Sequence, residues 1–245
     1  MNTINPLKSL LLATVLLSSP MAQAAGDAAE LEPAGINITD LGALQRGAKL
    51  FVNYCFGCHS ADYMRYNRLS EDLALTEDMV IENLVFSDAK IGETMSIAMD
   101  PDQGEAWFGK APPDLSLVGR SRGADWLYGY MRSFYQDDSG AWNNTVLANA
   151  SMPHVWWQLQ GIQKAIFKDD GHGNQVFDQF ELVSPGSLSP QEYDNTVRDL
   201  VTFLDYMGEP AKLKRKSIGI WVILFLSVFA FLAYLLKAEY WRDVH

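Results

Sequence analysis

The chain of 245 residues contains two cysteines, three positions apart, with a histidine directly behind the second: Cys55-Phe56-Gly57-Cys58-His59. Any fold of this sequence must carry two thiols and an imidazole within five consecutive residues. C-x-x-C-H is the attachment signature of a c-type haem, in which the thiols add across two vinyl groups and the adjacent imidazole is held against one axial face of the iron. A thioredoxin-like dithiol would need a hydrophobic strand running into the motif. Instead Leu41, Leu44, Ala48, Leu50, Phe51 and Tyr54 recur upstream at helical spacing. One covalently bound haem c is therefore expected, attached through Cys55 and Cys58, with His59 on the iron.

The two ends of the chain do not belong to the haem domain. Lys8 precedes the apolar run Leu10 to Leu17, which is too short to span a bilayer, and Ala22-Gln23-Ala24 supplies small residues for cleavage. Residues 1–25 read as a secretory signal peptide. Ile218 to Leu236 is uncharged and almost entirely apolar, with Trp221 and Tyr234 near its margins. A helix over 218–236 measures about 28 Å, close to the thickness of the hydrocarbon core, so this segment is expected to cross the membrane. Residues 26–211 then form the haem domain, 212–217 a basic juxtamembrane segment and 237–245 a short cytoplasmic tail. The basic flank, Lys212, Lys214, Arg215 and Lys216, argues for a cytoplasmic haem domain if basic residues alone are counted. The export signal argues the opposite and acts first, and long translocated domains largely escape the charge rule, so the periplasmic side is expected.

The exported part is strongly acidic. Residues 26–211 hold twelve Lys or Arg against twenty-eight Asp or Glu, a net charge of −16, compared with −11 for the whole chain. Such a field disfavours nucleic acid and favours a cationic partner. Residues 71–105 contribute ten of the acids, with only Lys90 as a counterweight.

Several elements can be placed from local signals. Thr39 or Asp40 can cap a helix running toward Tyr54, in which Gly47 permits close approach of another helix. Thr76, with Glu77 and Asp78, starts a helix through Phe86. Residues Met95 to Pro113, rich in Pro, Gly and Asp, read as a long loop. A helix is expected from Ala124 to Tyr135, with Trp126, Leu127, Tyr130, Met131 and Phe134 along one side. Residues 165–183, centred on Asp170-Gly171-His172-Gly173, predict a hairpin. Ser189-Pro190-Gln191-Glu192 opens a last helix, which reaches Met207 and is closed by Gly208 and Pro210.

His59 occupies one axial position, and the residue at the other decides whether the iron relays electrons or binds a small molecule. Met152 is the first candidate, because Pro153 pushes it out of the helical region and presents its thioether from a loop. Met95 and Met99 compete if their segment is helical. His154 and His172 are the imidazole alternatives, His172 at an expected hairpin tip. Ala111-Pro112-Pro113-Asp114-Leu115-Ser116 would form a stiff extended wall near the haem. Arg120 and Arg122 follow it, and a guanidinium fork suits a haem propionate, although Arg122 reads more simply as a surface charge.

The residues assembled here resemble the cytochrome c1 family, the haem-carrying subunit of the ubiquinol:cytochrome c reductase (cytochrome bc1) complex. The resemblance rests on Cys55-Phe56-Gly57-Cys58-His59-Ser60 followed by Asp62-Tyr63, on Ala111 to Ser116, on Met152-Pro153 and on the single C-terminal anchor. It implies a mainly α fold: a cytochrome c-like haem domain with loop and small β-hairpin insertions, plus one C-terminal transmembrane helix. It implies thioether links at Cys55 and Cys58, axial ligands His59 and Met152, Arg120 as the propionate partner and Pro112 in the haem wall. The implied role is relay of single electrons from a Rieske iron-sulfur protein to a soluble cytochrome c or equivalent acceptor, beside cytochrome b in a bacterial inner membrane. Such a protein is not an enzyme on its own, and no Ser/His/Asp set, P-loop or His-rich metal cluster suggests separate bond chemistry. The alternatives are an anchored cytochrome of another dehydrogenase or oxidase, and a five-coordinate haem enzyme or sensor.

Overall fold

The computed structural model describes residues 31–243, so the expected signal peptide at 1–25 lies outside the described residues. Helix α1 (Leu41–Leu50) begins where Asp40 accepts the Ala43 N–H at 3.0 Å, satisfying one of the free donors of the first turn. It continues as a π-helical turn, Phe51–Cys55, which delivers the chain directly into the Cys-His motif. A short strand β1 (Ala61–Arg65) and helix α2 (Tyr66–Leu73) follow. Helix α3 (Glu77–Leu84) is capped by Thr76, whose hydroxyl accepts the Met79 N–H at 3.2 Å.

The stretch from Met95 to Pro113 is not the uninterrupted loop expected. Strand β2 (Thr94–Met95) pairs antiparallel with β1, and helix α4 (Pro101–Phe108) lies within the stretch. Asp100 caps α4 through the Asp102 and Gln103 N–H groups, Pro101 takes the first helical position, and Gly109 closes it at φ +74°. Local capping overrides a composition that otherwise reads as irregular.

Helices α5 (Val118–Arg122) and α6 (Ala124–Arg132) come next. The expected helix to Tyr135 ends three residues early, because Phe134–Gln136 extends as β3 and pairs with β4 (Trp142–Asn144). A short helix α7 (Trp157–Gln160) leads into the predicted hairpin, β5 (Gly161–Asp169) with β6 (Gln175–Pro185), which is longer than its turn signal alone implied. Gln163 fastens it to the preceding segment by donating to the Phe134 and Arg132 carbonyls at 2.8 and 3.1 Å. Helix α8 (Pro190–Gly208) starts with a complete capping box between Ser189 and Glu192.

The core gathers around α8. Val197, Leu200, Val201, Phe203, Leu204 and Tyr206 are buried along it. Gly47 of α1 meets it so closely that a Cβ there would lie 2.2 Å from the Asp199 carbonyl oxygen and 2.6 Å from the Phe203 Cβ. Gly119 of α5 does the same on another side, 2.4 Å from the Leu204 carbonyl oxygen. Arg46, next to Gly47, clamps the first crossing with a two-pronged ion pair to Asp199 at 2.6 and 2.9 Å. Phe51, one turn beyond Gly47, packs on Phe203 with ring centroids 5.7 Å apart.

Helix α9 (Lys212–Tyr240) takes in the basic segment and the expected span without a break. Its section Ile218–Tyr240 is apolar up to Leu236, with Lys237 and Glu239 at its end, and at 23 residues it measures about 34 Å, enough to cross a hydrocarbon core. It is the single such helix among the described residues. Lys212 is paired with Asp205 at 2.7 Å, and Arg215 with Glu209.

The tightness of the α1/α8 crossing gives a direct test. Gly47→Ala forces the helices apart and destabilises the domain by about 1–3 kcal/mol, as overpacking does elsewhere. The expected observation is a lower urea midpoint by far-UV circular dichroism; a midpoint equal to that of the parent would show that the crossing can yield.

Candidate haem site

The π-helical turn ends at Cys55, whose carbonyl accepts both the Cys58 N–H at 3.0 Å and the His59 N–H at 2.9 Å. The motif is therefore one compact turn that carries the two thiols and the imidazole within five residues. Both cysteines are free thiols, Cys55 buried and Cys58 half-buried. Burial pushes the Cys55 thiol up to about 12, with a smaller contribution from Cys58, so it stays neutral. Phe56, inside the motif, points inward and meets Phe51 and Tyr66 at 5.9 and 6.5 Å, which anchors the turn from below.

His59 is held from the side by the Pro-Pro segment. Its Nδ1 lies 2.7 Å from the Pro113 carbonyl oxygen, an acceptor only, so Nδ1 carries the proton and Nε2 keeps its lone pair. Burial lowers the imidazole's affinity for a second proton, opposed by the Pro113 hydrogen bond and by Asp114. A neutral imidazole fixed through Nδ1 is the form that ligates a metal through Nε2.

The segment from Ala111 to Ser116 has no regular secondary structure and is tied to the residues that follow the motif. The Leu115 N–H donates to the Ser60 carbonyl at 2.9 Å, the Asp62 N–H to Asp114 at 2.8 Å and the Tyr63 N–H to the Ser116 hydroxyl at 3.1 Å. Pro112 is half-buried and its ring packs on α4, where a Cβ on Gly104 would lie 2.9 Å from the Pro112 Cδ. The wall is thus braced from behind by the helix missing from the sequence-based expectation.

Met152 is half-buried, and its Sδ accepts the Tyr130 O–H at 3.5 Å. The approach to it is ordered by two asparagines that sequence reasoning passed over. The Asn144 carbonyl oxygen of the side chain accepts the Val146 and Leu147 N–H groups at 2.9 and 3.0 Å, and its amide donates to the Tyr130 carbonyl at 2.8 Å. Asn143 accepts the Asn149 N–H at 2.8 Å, and Asn149 itself adopts φ +59°. The readable signal was the Asn-Asn pair, since such side chains mimic a backbone turn.

Of the rival ligands, Met95 lies in β2 and is fully buried in the core, so the helical premise for pairing it with Met99 does not hold. His154 is 2% exposed, stacked on Phe134 at 5.1 Å and 5° and met edge-on by Trp142 at 5.2 Å. Burial pushes it down to about 4, so the ring is neutral, and neither nitrogen has a hydrogen-bond partner among the described residues. His172 is exposed at the hairpin tip. Arg120 is two-thirds exposed and 3.8 Å from Glu209, while Arg122 lies over the Trp126 ring at 4.8 Å.

These donors fit a covalently held haem. Two free thiols share one turn with an imidazole whose Nε2 is left for a metal, and a half-buried thioether is presented from an ordered loop. The acidic stretch is also where the sequence placed it. Of its ten carboxylates nine are exposed, while Asp72 is drawn inward, paired with Arg68 at 2.5 Å and accepting the Tyr206 O–H at 3.0 Å.

Comparison with known proteins agrees with this geometry. The family model described as Cytochrome C1 family matches residues 35–106 and 100–244. Cytochrome c1 of Allochromatium vinosum is 49% identical over 98% of this chain and 100% of its own length. A protein of Nitrosomonas europaea named ammonia monooxygenase gamma subunit is 45% identical over 98% of this chain and 99% of its own length. Cytochrome c1 of Rhodospirillum rubrum is 26% identical over 94% of this chain and 96% of its own. The chain belongs to the cytochrome c1 family: it is a membrane-anchored c-type cytochrome carrying covalently bound haem c, the electron-transfer subunit of a bc1 complex and not an enzyme alone.

Proposed function

We propose that residues 26–211 lie on the periplasmic side of a bacterial inner membrane, held by one span, with residues 1–25 removed on export and 237–245 left in the cytoplasm. In this position the protein takes single electrons from a Rieske iron-sulfur protein and passes them to a soluble cytochrome c or equivalent acceptor, with cytochrome b in the same assembly. The observation that carries the reading is the 2.7 Å contact between His59 Nδ1 and the Pro113 carbonyl, which leaves Nε2 as a ready ligand beside two free thiols.

Cys55 and Cys58 would hold the haem through thioether links, and His59 Nε2 and Met152 Sδ would ligate its iron. The haem supplies a one-electron couple at its iron, and a Met/His pair sets that couple at high potential. Ligated by both side chains, the iron would be closed to small molecules and would serve as a relay. The wall from Ala111 to Ser116, with Pro112 braced on Gly104, limits water at one side of the site. Arg120 partners a propionate, which competes with Glu209 for the guanidinium. The exposed carboxylates from Glu71 to Glu105 attract a basic acceptor.

Three outcomes are expected. Met152→Ala abolishes the sulfur-to-iron charge-transfer band of the ferric protein and lowers the midpoint potential; an unchanged spectrum and potential would remove Met152 from the iron. Solubilisation in mild detergent brings cytochrome b and a Rieske protein down with this chain, and a stable complex containing neither would contradict the assignment of partners. Reduction of a basic acceptor slows by roughly tenfold between low and physiological ionic strength, whereas a flat dependence would deprive the acidic face of a role in encounter.

A further inference from the structure

The side chain that meets the Met152 thioether is Tyr130, on the last turn of α6. Its position is over-determined. Trp126, one turn earlier, stacks on it with centroids 4.9 Å apart and planes 9° from parallel, and Phe134 meets its other side at 5.0 Å and 68°. Its backbone carbonyl is held by Asn144, the same residue whose side-chain oxygen orders Val146 and Leu147 on the way to Met152. Phe134, the next member of this aromatic row, carries the stacked ring of His154. One aromatic run therefore holds the Met-Pro-His segment at two points, gripping the thioether through a donor and the imidazole through its face.

We propose that Tyr130 is a positioning residue for the Met152 thioether, and that its O–H bond to Sδ selects this sulfur and raises the haem potential. The proposal rests on the reading of Met152 as an axial ligand. Its physical basis is the direction of the hydrogen bond: the phenol donates and the thioether can only accept. A donor on a ligating sulfur draws density from the atom that feeds the iron, and the ferric state loses more from that withdrawal than the ferrous state. The bond also restricts rotation about the flexible methionine side chain, which would otherwise sample several rotamers at an entropic cost to ligation.

The test compares the full-length, haem-loaded protein in detergent with its Tyr130→Phe, Trp126→Phe and Met152→Ala variants, reading the ferric sulfur-to-iron band and the midpoint potential. Tyr130→Phe keeps the ring and its packing and removes only the donor. It is expected to retain the band at a shifted position and to raise the ferric-to-ferrous ratio at fixed ambient potential about threefold, equivalent to roughly 30 mV for a one-electron couple. Trp126→Phe, which keeps the phenol and thins the ring stacked on it, is expected to keep the band and to shift the potential in the same direction by clearly less than Tyr130→Phe. Unchanged potential in Tyr130→Phe, or an equal shift in Trp126→Phe, overturns the proposal while leaving Met152 as the ligand. A band that survives in Met152→Ala overturns the ligand reading first, and this inference with it.

Discussion

The close crossing of α1 on α8 is the contact on which the site depends. With hydrogen in place of a side chain at Gly47, the backbone of α1 rests against the Asp199 carbonyl, and the Arg46 to Asp199 ion pair fixes the register from the side. Phe51 then packs on Phe203, the helix widens into a π turn, and the Cys-His motif emerges at a set place relative to the core. A second glycine contact, Gly119 on the Leu204 carbonyl, seats α5 on the same helix and so fixes the far end of the segment that contains Pro113. Two glycines, one on α1 and one on α5, both pressed against α8, thus set the distance between the motif and the wall that grips its histidine.

The site is built mostly from backbone atoms and from side chains far from the Cys-His motif in sequence. Pro113 can provide a carbonyl to His59 because consecutive prolines hold the chain extended and offer no competing N–H. Asp114 and Ser116 return the favour by taking N–H groups from the strand after the motif. The result is a stiff frame around a neutral imidazole, suited to electron transfer, where little rearrangement between the two redox states is an advantage. On the proposed opposite ligand, the Tyr130 O–H and the asparagine turns play the same part that Pro113 plays for His59.

What was legible in the sequence was local. Cys55 to His59 named the cofactor because its chemistry needs only five consecutive residues, and Asp40, Thr76 and Ser189 announced three helix starts because a cap acts within one turn. The apolar run from Ile218 was equally plain. Helix α4 was missed although Asp100-Pro101 is a cap followed by proline, because the surrounding Pro, Gly and Asp weighed toward a loop. The strand pairs β1 with β2 and β3 with β4 are too short to show a period, and tertiary contact makes them. Gly119 and Tyr130 were invisible as site residues, and Asn144 was readable only as a turn former, for the same reason: each matters through a partner from 14 to 85 positions away. Asp72 shows the reverse error, a carboxylate counted with the acidic face that the fold spends on Arg68 and Tyr206.

The central claim is that the iron is closed on both sides by this chain, with the His59 imidazole on one face and a thioether on the other. X-ray absorption at the iron edge of the purified ferric protein reads the ligand atoms directly. The account predicts one sulfur and five nitrogen scatterers in the first shell. A shell of six nitrogens would place an imidazole opposite His59, and a five-coordinate iron would leave an open site; either result contradicts it.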